Sequence, residues 1–185
     1  MNPLVALYFA SETGTEQDGQ VIVCKVKKED ILFFNSDKAM MLACLPVFSD
    51  QKQNEIKRFC KENQGEINEE KAKTCRDFHR FLHEIRGEYP AFECEIIGKD
   101  LLKNYFVRAY KDNERIKIQN GLFMIFGLND KEADYDERIC YRINIRANAK
   151  QQILKELKLM GISTSTIYPG LERRAMELAR KKQIG

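Results

Sequence analysis

An α+β fold, with helices packed against a mixed and mostly antiparallel sheet, is what the sequence predicts, and three observations carry it. Residues 68–90, NEEKAKTCRDFHRFLHEIRGEYP, hold apolar side chains at helical spacing between a capping Asn68 and a terminating Gly87 and Pro90. From residue 92 the texture changes to short β-prone stretches, two of them partly alternating apolar and polar as half-buried strands do. Helical pattern returns after residue 147. With 185 residues, 43% hydrophobic and 32% charged, the chain has the length and composition of one soluble domain, 1–185, with a core of its own.

In chain order, residues 2–11 form a helix with Pro3 in its first turn, where the missing N–H costs nothing. Leu4, Val5, Leu7, Tyr8 and Phe9 cover every side of it, so it expects neighbours all round. After the polar turn 11–19, GQVIVCKVK (19–27) and ILFFN (31–35) read as strands. Residues 37–45 and 50–63 are helices broken at Pro46. The helix 68–90 follows, then strands at 92–97, 104–110, within 113–127, and at 137–146. Two helices, about 148–159 and 170–182, close the chain around the connector GISTSTIYPG.

Charge excludes little. The 31 basic and 28 acidic residues leave +3, which is no dedicated nucleic-acid patch. No apolar run reaches the ~18 residues of a membrane helix. The opening segment lacks the basic region of a secretion signal. Six scattered cysteines without a CxxC pair predict free thiols and a cytoplasmic location.

The first candidate site is NERIKIQNGLFMIFG, 113–127, where polar groups stand directly ahead of an apolar run. On a strand, Arg115, Lys117 and Gln119 share one face, and Arg115 and Gln119 lie about 13 Å apart, enough to line a cleft floor. On a helix the same two residues are i, i+4 neighbours. The competing reading pairs Arg115 with a surface carboxylate and makes Asn120-Gly121 a simple turn. Cys75, His79 and His83 are a second constellation, at successive i, i+4 steps. Three ligands on one straight helix span about 12 Å, so one ion can touch two at most, and a half-buried stripe is the better reading. No metal is expected. The hydroxyl-rich connector lacks the glycines and lysine of a phosphate loop.

Three segments together resemble the FRG domain family: NPLVALYFA (2–10), NERIKIQNGLFMIFG, and ILKELKLMGISTSTIYPGLERRAMELA (153–179). They occur in the family's order over nearly the whole chain. The aromatic-Arg-Gly motif that names the family lies upstream of NPLVALYFA in its members, and the single Arg86-Gly87 pair here is in the wrong order. The chain therefore resembles the C-terminal part of an FRG protein, with a fold incomplete at its N-terminus. That implies an upstream half or self-association to cover the first helix.

The resemblance implies a prokaryotic or phage-linked protein with a defence or toxin role, and by analogy an ADP-ribosyltransferase-like nucleotide cleft. Under it, Gln119 orients a ribose as the catalytic candidate, and Arg115, Asn120, Gly121 and Asn2 are ligand-binding candidates. NAD is the cofactor so implied, and a small nucleotide or a protein the partner. The alternative is the same fold as a non-catalytic ligand- or protein-binding module.

Overall fold

The computed structural model describes residues 2–14, 16–110, 114–129 and 138–169. Along the chain the elements are α1 (Pro3–Glu12), β1 (Gly19–Cys24), β2 (Ile31–Phe33), α2 (Asp37–Cys44), α3 (Asp50–Glu62) and β3 (Glu66–Ile67). Then come α4 (Glu69–Lys73), α5 (Arg76–Glu88), β4 (Ile96–Ile97), α6 (Gly98–Leu102) and β5 (Tyr105–Arg108). The last are α7 (Glu114–Gln119), β6 (Phe123–Ile125), β7 (Ile139–Ile145), α8 (Lys150–Leu159) and α9 (Thr164–Ile167). The class is α+β. Among the described residues the strands form three small sheets rather than one, with a single parallel pairing, β2 with β5. No helix of the described residues is long and apolar enough to cross a membrane.

Two expected elements differ for local reasons. The helix expected over 68–90 is split: the Thr74 hydroxyl donates to Lys71 O at 2.7 Å, and Cys75 is extended (φ −118°, ψ 113°), so a new helix must start. Residues 113–127 were expected to be strand, yet 114–119 are helical. The amide of Asn120 closes back on Ile116 O at 3.0 Å with φ at 45°, the left-handed stop of a helix. Six residues are too few for the alternation of Ile116 and Ile118 to separate a period of 2 from one of 3.6. The helix expected at 170–182 lies outside the described residues.

By backbone proximity the chain forms two compact units. One gathers Met1–Lys25, Ala109–Gly121 and Ile139–Gly185; the other gathers Val26–Arg108 and Leu122–Arg138. In the first, β1 and β7 pair antiparallel from Gly19 opposite Ile145 to Cys24 opposite Ile139. Helix α1 packs on α8 and α9 around Val5, Tyr8, Leu157 and Ile167, with Leu4 and Leu7 against them. That burial differs from the expectation of a helix with its apolar side chains in water: Phe9 alone among its large hydrophobics is counted as exposed, at 39%. The cover comes from residues some 150 positions later, which helical patterning cannot reveal. Gly19 is required here, because a Cβ would sit 2.1 Å from Ala10 O.

The second unit holds the larger core. Phe78, Phe81, Leu82 and Ile85, on one stripe of α5, are sealed against Ile56 and Cys60 of α3 and Leu42 of α2. Ile67 and Ile96 join from the β3–β4 pair, and Leu101 from α6. Gly98 lets α6 start against the end of α3, where a Cβ would meet Asn63 O at 1.9 Å. All six cysteines are free thiols, and burial pushes Cys60 up to about 12.

Candidate functional site

Helix α7 brings Arg115 and Gln119 onto one side, one turn apart, not the 13 Å of an extended strand. The guanidinium of Arg115 lies 5.1 Å from the centre of the Tyr168 ring, a cation–π distance. The Gln119 amide donates to Ile167 O at 3.3 Å and so ties α7 to the end of α9. Both residues therefore meet the same two-residue stretch, 167–168.

Tyr168 connects that stretch to α1. Its hydroxyl donates to one oxygen of Glu12 at 2.8 Å, and the Tyr8 hydroxyl donates to the other at 3.0 Å. With its proton so used, Tyr8 accepts from the Thr164 hydroxyl at 2.9 Å. Burial, assisted by the Glu12 charge, pushes the Tyr8 phenol up to about 12. Phe9 adds an edge contact to Tyr168 at 6.1 Å. The result is one carboxylate holding two phenols, with an arginine over one of them.

Beside this cluster, α7 and α9 enclose a shallow cavity of about 460 Å³ lined by Glu114, Lys117, Ile118, Ser165, Thr166 and Pro169. Lys117 and Glu114 bring one charge of each sign, and Ile118 and Pro169 an apolar wall. Thr166 caps α9: its hydroxyl receives the Ser163 N–H at 2.7 Å and donates to Ser163 O at 2.9 Å. Ser165 shares a hydrogen bond with the Ser163 hydroxyl at 3.0 Å.

The other sequence candidates fall elsewhere. Asn120 and Gly121 end α7 as a turn, and a Cβ on Gly121 would meet open space. Asn2 caps α1, accepting the Leu4 N–H at 3.0 Å. Ten helical residues put it about 15 Å from Glu12 along the axis, so Asn2 does not join Arg115 and Gln119. Sequence reading missed Tyr8, Glu12, Thr164 and Tyr168 as a group. The bonds that join Tyr8 to Thr164 and Tyr168 to Glu12 each span 156 positions, and no local spacing announces them.

Sequence reading also missed a charged network in the second unit. The carboxylate of Asp30, 5% exposed, is paired with Lys103 and, at 3.4 Å, with Arg138. Arg138 donates to Asn104 O at 3.0 Å, and Asn104 receives the Gly127 N–H at 2.8 Å. Asp100 takes Lys38 at 2.8 Å and the Tyr105 hydroxyl at 2.9 Å; burial and that carboxylate raise the Tyr105 phenol. This network fastens β5 to its neighbours, and every charge in it has a partner.

Among the described residues, no three His, Cys, Asp or Glu side chains converge to hold a metal ion. No family model matches the chain, and no curated protein or solved structure matches it.

Proposed function

We propose that this chain is part of an FRG-type protein and acts as a nucleotide-binding module, with the α7–α9 cavity as its site. The cavity itself carries the reading. At about 460 Å³ it falls within the ~300–1,000 Å³ typical of small-molecule sites. Its lining supplies what a nucleotide needs: Ile118 and Pro169 for the base, Lys117 for a phosphate, and the Glu114 carboxylate to accept from ribose hydroxyls. Arg115 and Gln119 serve as positioning residues, since they hold α7 on Tyr168 and Ile167.

Binding without chemistry is favoured over ADP-ribosyl transfer because Gln119, the expected ribose-orienting group, does not line the cavity and is held on Ile167 O instead. Thermal melts with NAD, ADP-ribose and ATP test the proposal. Ligand at a hundredfold over its Kd stabilises by about 2.7 kcal/mol, a shift of several degrees. Lys117→Ala, an exposed change, should leave the unliganded melt in place and remove the shift. No shift with any of the three overturns it, and transfer of label from NAD to the protein would replace binding with group transfer.

A further inference from the structure

Helix α5 carries both histidines of the chain, four residues apart. The helix buries Phe78, Phe81, Leu82 and Ile85, and the histidines stand on its other flank: His79 is half-buried and His83 exposed. Their ring centres are 4.6 Å apart, with the planes at 75°. That distance is short enough for both rings to reach one ion. An imidazole nitrogen binds a late divalent metal at about 2.0–2.1 Å, which puts the ring centre about 3.2 Å from the ion. Two such rings then stand about 4.5 Å apart at a right angle, and about 5.2 Å apart at the tetrahedral angle. The observed spacing of 4.6 Å falls close to the first of these values.

We infer that His79 and His83 form an open, two-nitrogen chelate for a late first-row divalent cation, with water completing its coordination. The 4.6 Å spacing, nearer the right-angle value than the tetrahedral one, favours the tetragonal ions Ni²⁺ and Cu²⁺ over tetrahedral Zn²⁺. Nearby charge does not close the site. Arg86 is held by both oxygens of Glu69, at 3.1 and 2.7 Å, so that pair is neutral. Arg76 and Arg80 are exposed and screened by salt. Cys75 caps the start of α5, two turns and about 12 Å along the axis from His83, too far to share an ion with it.

Isothermal titration of the untagged chain with Ni²⁺ tests this, with circular dichroism of each variant as a check on folding. One ion per chain is expected. His79→Gln and His83→Gln should each weaken binding by about tenfold or more, the scale on which metal sites lose affinity with one supporting group. Cys75→Ser should leave it unchanged. The inference is overturned if no Ni²⁺ binds, if both histidine variants bind as the parent does, or if Cys75→Ser weakens binding as much as His83→Gln.

Discussion

The two units bury themselves by different means. The second closes around a continuous core of aromatic and aliphatic side chains, Phe78, Phe81, Ile56, Ile67, Ile85 and Ile96 among them, all fully sealed. The first has a buried cluster of four, Val5, Tyr8, Leu157 and Ile167, with Ile145 buried apart from it, and completes its packing with polar bonds from Tyr8 and Tyr168 to Glu12. Its β1–β7 ribbon leaves Tyr141 70% and Ile143 50% exposed. Apolar area is non-directional and tolerates a shifted neighbour, whereas a carboxylate shared by two phenols is lost if either moves. The second unit thus holds the larger apolar core, and the first relies more on directional polar bonds.

The largest effect that would test this contrast is in the second core. Phe78→Ala should cost about 3–5 kcal/mol, because close-packed neighbours cannot collapse into the void. Leu157→Ala, its counterpart in the first unit, should fall near the low end of the Leu→Ala range, about 2 kcal/mol, because the cluster that buries it is small. Urea midpoints measure both, and a larger loss at Leu157 would break the comparison. Next in size, Asp30→Asn leaves the half-buried Arg138 against a neutral amide and should cost about 3 kcal/mol.

A smaller effect sharpens the view of the first unit. Tyr8→Phe removes two hydrogen bonds and should cost about 1–2 kcal/mol near neutral pH. Its sign with pH is set by the raised phenol. The folded Tyr8 holds its proton to about 12 and the unfolded one to about 10, so its contribution is complete below pH 10 and is lost as pH rises from 10 to 12. The gap between parent and variant should close over that window, and a gap that stays constant would refute the assignment. Smallest of all, Asn2→Ala should cost about 1 kcal/mol as a lost helix cap and leave any nucleotide-induced shift untouched.

Much of the fold was legible where a signal was local. Pro3 at the start of α1, Asn68 as the cap of α4 and the apolar stripe of α5 each act within a few residues, and each is where the sequence reading put it. The break at Thr74–Cys75 and the helix at 114–119 were not legible, because side-chain-to-backbone bonds and a left-handed Asn120 decided them over a weak alternation. Two residues of the candidate cluster stood out in the sequence. Arg115 and Gln119 did so by their company, but their partners Tyr168 and Ile167, and the Glu12 that holds Tyr168, come together only through packing of α1 with α9. Non-local meetings of that kind leave no period in a sequence.

Nucleotide binding by the first unit is tested most directly by an NMR titration of ¹⁵N-labelled protein with ADP-ribose, following every backbone amide. Saturable shifts should concentrate at 114–119 and 163–168, with 37–41 and 91–100, around the charged cavity of the second unit, unmoved. Shifts confined to that second cavity, or none at millimolar ligand, would contradict nucleotide binding at the α7–α9 cavity.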